Sequence, residues 1–378
     1  MRKADFCSKK GGDIKLKILI VNTCSYKRNG ITTVIINFFR AMDKTGLQID
    51  FVATNQNTDA WFKEEVSKSG SQFYTLDRST KHLIRYIRQL YNIMRHYDVV
   101  HAHGNSGTLA IEMLAAKKAN VKLRIAHSHS TTCTSKIADQ LLKPVLYRCC
   151  NGRLACGKDA GTWLFGKRTF EVINNGIDSK KYAFNADIRE SIRKKLSLNQ
   201  EKVIGHVGGF FEAKNHVFLI QLFEKIYLQD KSYKLLLIGD GERKEEVEYI
   251  VEKKGLKEAV MFIGSVPNVN EYLNAMDLIV MPSLYEGIPL TLIEEQANGL
   301  SCIVSDGITK EVDKTGLVQF LSLNDDSQVW IDVIRKTINS KNRERVSLDA
   351  IERIQRCEYD INDQADRLRN YYLMDQEF

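Results

Sequence analysis

The sequence predicts an α/β protein of two parallel-sheet domains, each doubly wound, and three observations lead there. Short apolar strands alternate with amphipathic, helix-period segments along almost the whole chain. The alternation runs twice, once up to about residue 180 and again from about residue 200. The chain has 378 residues, the length of two domains rather than one. Each strand–helix–strand unit makes a right-handed crossover, and successive crossovers build a parallel sheet buried on both faces. Ligands of such folds bind at the carboxyl ends of the strands, and two such domains would face each other across a cleft.

The first round of strands falls at 17–21, 48–53, 99–103, 124–127 and 152–156. The second falls at 203–207, 234–238, 260–263, 278–281 and 302–305. Each is a short apolar run bounded by polar or turn residues. Helical spacing marks 32–42, 83–94, 216–228 and 242–254 between them, and 361–374 at the end of the chain. The polar segment 185–200 reads as a linker with a short helix. The expected domains are therefore 13–182 and 183–357, with a last helix at 358–378 packing back on the first domain. Within 78–96, Leu83, Ile84, Ile87, Leu90, Tyr91 and Met94 form one apolar stripe, with Lys81, Arg85, Arg88 and Arg95 on other faces. That helix reads first as core packing with a solvated basic face, and second as a face set against an anionic membrane surface.

Composition narrows the function classes. Hydrophobic residues reach 43%, enough for two cores, and only 4 prolines occur, which excludes a proline-rich linker. The eight cysteines are Cys7, Cys24, Cys133, Cys149, Cys150, Cys156, Cys302 and Cys357. None stands in a C-x-x-C pair, which removes zinc-ribbon and thioredoxin-like sites and fits a reducing cytoplasm. No apolar run approaches the ~18 residues of a membrane span. The net charge of +8 favours an anionic partner. Its basic residues are spread rather than clustered with aromatics, which argues against nucleic acid.

The sharpest motif spans residues 281–299. A buried strand ends at Met281, a loop carries Glu286, and a helix starting near Pro289 carries Glu294 before Asn298 and Gly299 stop it. Ionised carboxylates only accept hydrogen bonds, so they match the vicinal hydroxyls of a sugar or ribose. The helix start offers unpaired N–H groups and the positive end of a dipole to phosphate. Spacing alone favours two solvated acids; the flanking Pro-Ser-Leu-Tyr-Glu-Gly at 282–287 tips the reading the other way.

The segment resembles the C-terminal signature of the retaining GT-B glycosyltransferases, group-1 type, whose two glutamates stand eight positions apart. Further stretches resemble the same family: Ile238-Gly-Asp-Gly241, Phe262-Ile-Gly-Ser265, Asn175-Gly-Ile-Asp178, Asp98-Val-Val-His-Ala-His103 and Ala126-His-Ser-His129. The likeness covers nearly the whole chain and is nearest to bacterial surface-polysaccharide transferases. It implies a GT-B-like pair of Rossmann-like domains, with the acceptor on the first and a nucleotide sugar on the second. Carried over, it makes Glu286, Lys214, and His129 or His127 catalytic, with Glu286 and the histidine at the reacting sugar and Lys214 on the diphosphate, and it puts Glu294 on the ribose. It places Gly30, Gly208, Gly209, Gly239, Arg243, Ser265, Val266, Gly287, Ile288, Pro289 and Leu290 around the donor. Where the family usually has an arginine beside the phosphate-binding lysine, this chain has Gly209, and Arg243 is the candidate replacement. No metal or cofactor is expected. Four histidines in alternating pairs, His101 with His103 and His127 with His129, suggest zinc only weakly, since no acid or thiol completes a set.

The resemblance implies retaining transfer of a hexose-type sugar, from a UDP-sugar by expectation, to a saccharide or lipid-linked saccharide in capsule or exopolysaccharide assembly. The alternatives are a nucleotide-sugar epimerase and a degenerate, non-catalytic nucleotide-sugar-binding subunit. The expected location is cytoplasmic, with Lys81, Arg85 and Arg88 as the candidate contact to a membrane face.

Overall fold

The structure, a computed structural model, describes residues 15–27, 29–133, 135–338 and 342–374. Cys7 and the outermost residues of the expected domains, 13–14 and 375–378, lie outside them. The chain forms two compact units. One runs to Asn174 and resumes at Gln364; the other is Asn175–Asp363.

The first unit holds a seven-stranded sheet: β1 (Leu16–Asn22), β2 (Leu47–Ala53), β3 (Phe73–Thr75), β4 (Val99–Gly104), β5 (Leu123–Ser128), β6 (Gly152–Ala155) and β7 (Glu171–Val172). Their order is β3-β2-β1-β4-β5-β6-β7, and every pairing is parallel. β1 and β4 are apolar over most of their length because helices cover both faces. The order reverses between these two strands, and Asn22 pairs with His103 there. Such a reversal opens a crevice at the strand ends.

The helix Leu83–Met94 has the expected bounds, and Leu83, Ile87, Leu90 and Met94 face the core as expected, but the stripe takes in Tyr86 and leaves out Ile84 and Tyr91. It buries Tyr86, Leu90 and Met94, while Ile84 is 86% and Tyr91 39% exposed. The Tyr86 hydroxyl donates to Glu112 at 2.8 Å, and Arg78 donates to the same carboxylate at 2.7 Å. A buried charge needs both partners, and satisfying Glu112 turns Tyr86 inward. Lys81, Arg85 and Arg88 are exposed.

The helix Ile361–Met374 contributes its later turns to the first unit. Ala365, Leu368 and Tyr372 are buried at helical spacing. The Tyr372 hydroxyl lies 2.6 Å from Nδ1 of His101 on β4.

The second unit holds six parallel strands: β8 (Lys202–Val207), β9 (Tyr233–Ile238), β10 (Val260–Gly264), β11 (Leu278–Met281), β12 (Cys302–Ser305) and β13 (Val318–Leu321). Their order is β10-β9-β8-β11-β12-β13. Two apolar clusters, one around Leu236, Ile279 and Leu292 and one around Phe223, Leu237 and Trp330, pack against it. The segment read as a linker is a working part of this unit. Asn185 caps the helix Ala186–Lys195, and Arg189 bonds Asp277 at 2.5 Å. Ile177 is buried and its N–H bonds the Tyr359 carbonyl at 2.9 Å, also within the second unit.

Candidate active site

β11 delivers the chain to a loop that ends at Pro289, where the helix Leu290–Ala297 begins. The loop is tied down at several points. Leu284 N–H bonds the Ala213 carbonyl at 2.8 Å, Glu286 N–H the Gly307 carbonyl at 3.2 Å, and Asn215 Nδ2 the Pro282 carbonyl at 3.1 Å. Gly307 makes this possible, since a Cβ there would stand 2.3 Å from the Leu284 carbonyl oxygen. Lys214 ends a short turn, Glu212–Lys214, that the left-handed Asn215 (φ 54°) turns into the helix His216–Gln229. The result is an ion pair: Lys214 Nζ lies 2.7 Å from Glu286 Oε1, with both side chains mostly covered.

Glu294 is 6% exposed on the following helix. Burial pushes its carboxyl up to about 6, against a hydrogen bond from Tyr182 and the charge of Lys181. Glu295, beside it, is wholly buried, and neither of its oxygens has a hydrogen-bond partner. Burial, with the Glu294 charge adding, raises its carboxyl well above the usual range, so it is a neutral acid.

The ends of β8, β9 and β10 are drawn together by glycine. Gly208 N–H bonds the Ile238 carbonyl at 2.9 Å, and Gly239 N–H bonds the Gly264 carbonyl at 3.0 Å. Gly239 has φ +147°, and a Cβ on it would lie 2.0 Å from the Gly208 oxygen. A Cβ on Gly209 would lie 2.5 Å from the Phe211 ring, so a larger residue requires that ring to move. Arg243, just before the helix Lys244–Lys253, holds Glu246 with two bonds of 2.7 Å. Ser265 and Val266 follow β10, and Gly287, Ile288, Pro289 and Leu290 lead into the helix that carries Glu294. Four buried polar atoms of these same segments have no partner: His206 Nε2, His216 Nε2, Ser283 Oγ and Thr291 Oγ1. Buried polar atoms normally find a partner, so each of these is open to a hydrogen bond with a ligand or water.

In the first unit, the four histidines come together at the ends of β4 and β5. His101 Nε2 lies 3.0 Å from His127 Nδ1, and His103 Nδ1 lies 2.8 Å from His129 Nε2. His101, His103 and His127 are buried and His129 is half-buried; desolvation lowers all four, His129 to about 3. Nitrogens of His101, His103 and His127 lie within 4.8 Å of one another, beside a cavity lined otherwise by apolar residues and Tyr372. No carboxylate or thiol among the described residues lines it, so a dication there would carry an uncompensated charge. Gly30 starts the helix Gly30–Ala41, and a Cβ on it would meet nothing within 4 Å.

Comparison with known proteins settles the family. The model for "Glycosyl transferases group 1" matches residues 187–353, and that for "Glycosyltransferase Family 4" matches residues 28–181. The Bacillus subtilis glycosyltransferase EpsF, whose name assigns no substrate, is 33% identical over 366 residues, 93% of this chain and 94% of its own. The chain belongs to the group 1 glycosyltransferases.

The transferase is also 28% identical over 239 residues to an Escherichia coli UDP-Gal:α-D-GlcNAc-diphosphoundecaprenol α-1,3-galactosyltransferase, covering 57% of this chain and 60% of that one. Among solved structures, Anabaena HepE in complex with UDP and glucose aligns with TM-score 0.79 at 17% identity, covering 94% and 99% of the two chains. WaaG, a glycosyltransferase of lipopolysaccharide biosynthesis, aligns with TM-score 0.67 at 13% identity, covering 94% and 100%. These two likenesses establish the GT-B fold. The family assigns transfer rather than epimerisation. The group 1 match contains Lys214, Glu286 and Glu294, and the family 4 match contains all four histidines.

Three features of the transferase's site lay beyond sequence reasoning. The Lys214–Glu286 pair joins residues far apart in the chain. Glu295 turns inward beside Glu294, which only helix rotation decides. His206 sits on an apolar strand as an ordinary core residue would; its one signal was a histidine two positions before the Gly208-Gly209 turn.

Proposed function

We propose that the transferase moves a hexose-type sugar from a UDP-sugar, with retention at the anomeric carbon, to a saccharide or lipid-linked saccharide in assembly of a surface polysaccharide. The observation that carries this reading is the Lys214–Glu286 pair at 2.7 Å, with the buried Glu294 on the helix that follows the same loop. The second unit is assigned the donor and the first the acceptor. Support for the nucleotide comes from HepE, which holds UDP and glucose, and for the acceptor from the E. coli relative, named for a diphosphoundecaprenol substrate.

The chemistry follows from these groups. The bond from the anomeric carbon to the diphosphate oxygen breaks, and the electron pair leaves with the diphosphate. The acceptor oxygen bonds to the same face of that carbon, and its proton passes to a departing phosphate oxygen. Lys214 neutralises the charge that grows on the diphosphate, where preorganised charge has most effect. Glu286, freed from Lys214, accepts hydroxyls of the moving sugar. Glu294, ionised above about 6, accepts the ribose hydroxyls. His129 and His127, neutral, are the candidates in the first unit for a hydrogen bond to a sugar hydroxyl.

The test is calorimetry with UDP-, GDP- and dTDP-sugars, followed by transfer assays. Glu294→Ala should lose donor affinity, and Lys214→Ala should lower transfer by about a hundredfold or more. Unchanged affinity in the first variant, or near-full activity in the second, would move the donor elsewhere.

A further inference from the structure

His206 occupies the penultimate position of β8, wholly buried. Its Nδ1 lies 2.9 Å from the Val280 carbonyl. A carbonyl only accepts, so the ring proton sits on Nδ1 and Nε2 is a bare lone pair. That Nε2 has no hydrogen-bond partner. It borders the space left by Gly208: a Cβ there would stand 3.1 Å from Nε2 and 3.1 Å from Lys214 Cε. Base and cation thus lie side by side where the strand ends.

The diphosphate of a nucleotide sugar carries two negative charges, and among the described residues of the turns after β8 and β9 the cations are Lys214 and Arg243, each paired with a glutamate. Lys214 supplies one cation, Gly209 supplies none, and Arg243 is held by Glu246. Resting on the donor reading above, we infer that His206 is the second cation of the diphosphate site: Nε2 takes up a proton when a nucleotide diphosphate sugar binds, and donates that N–H toward the diphosphate. One N–H bond forms, its proton comes from solvent, and no other bond changes. Lys214 Cε and Cδ cover the space above Gly208, so the turn of Lys214 from Glu286 to the diphosphate uncovers Nε2.

The neutral starting state is consistent with the surroundings. Burial brings the ring down to about 4, with Lys214 adding to the effect and the Val280 bond opposing it. The other titratable group facing it is His216, whose ring stands 4.7 Å away edge-on and is itself held neutral by burial. Behind Lys214 stand its partner Glu286 and the neutral Glu295. Proton affinity at Nε2 rises on binding, so donor binding takes up protons near neutral pH and weakens as pH rises.

The experiment is titration calorimetry on the full chain with UDP-glucose, whose diphosphate does not titrate near neutral pH, and with GDP- and dTDP-glucose alongside. Buffers of different ionisation enthalpy at about pH 7.5 give the protons taken up per donor bound. His206→Asn keeps an amide N–H for the Val280 carbonyl but has no group at Nε2; His206→Gln places a non-titrating N–H there. Glu294 is already ionised at this pH, and the difference between wild type and His206→Asn is the quantity read. That difference should approach one proton, with affinity in His206→Asn on the order of tenfold weaker and His206→Gln intermediate with no uptake. Circular dichroism and melting confirm that both variants fold. Donor binding with the same proton count in wild type and both variants overturns the inference and leaves the donor reading standing. No binding of any donor to the wild type overturns both.

Discussion

Glu294 and Glu295 are neighbours on one helix and meet different surroundings. Glu294 has a Tyr182 hydrogen bond and titrates at about 6; Glu295 has no partner and stays neutral. The folded value of Glu294 lies above its ordinary 4.5, so the protonated form favours the fold. That stability is complete below about 4.5 and is lost as pH rises through about 6, an increment of about 2 kcal/mol. Glu294→Gln does not ionise and should keep it. In denaturant titrations the variant should exceed wild type by about 2 kcal/mol at about pH 7.5 and match it at about pH 4.5. Equal stability at both pH values would mean that Glu294 is not desolvated. At this scale the glutamate motif was legible, because strand, loop and helix are local. The partner of Glu286 was not, because packing alone brings Lys214 to it.

Among the elements, the joined ends of β8 and β9 set the shape of the proposed diphosphate loop. Gly239→Ala would force a Cβ to within 2.0 Å of the Gly208 oxygen at a φ that side chains avoid. We expect a loss of about 2–4 kcal/mol, together with loss of donor binding. Gly30→Ala meets open space at a helix start and should change stability by less than about 1 kcal/mol. Chemical denaturation of the two variants side by side decides the point, and comparable costs would refute the backbone contact. Central strands were legible because burial on both faces makes them continuous apolar runs. β3, β7 and β13 were missed because edge strands are short and half-covered, so their composition is mixed. The helix Leu83–Met94 was placed correctly, and its stripe was right except at Ile84, Tyr86 and Tyr91. Hydropathy ranks Ile84 above Tyr86, yet the hydrogen bond to buried Glu112 decides which one turns inward.

For the molecule as a whole, two parallel-sheet units were readable from the doubled alternation of strand and helix. No helix among the described residues is long and apolar enough to cross a membrane. The chain nevertheless carries net charge +8, and its helix Leu83–Met94 exposes Ile84 and Tyr91 beside Arg85 and Arg88. A lipid-linked acceptor would give that mixed surface a use. The prediction is binding to vesicles containing anionic lipid that weakens several-fold as salt rises. Arg85→Glu with Arg88→Glu should remove it. Sedimentation with vesicles that shows salt-independent binding, or full binding by the double variant, would dismiss a lipid role for this face.

The return of the chain's last helix to the first unit has a consequence for how the protein is made. Tyr372, Leu368 and Ala365 complete a core whose remaining members were synthesised before Asn174. On the ribosome the N-terminal sheet therefore waits, with His101 lacking its tyrosine, while the whole Asn175–Asp363 unit emerges and has time to fold. The order of completion inverts the order of synthesis: the portion translated first is the last to close.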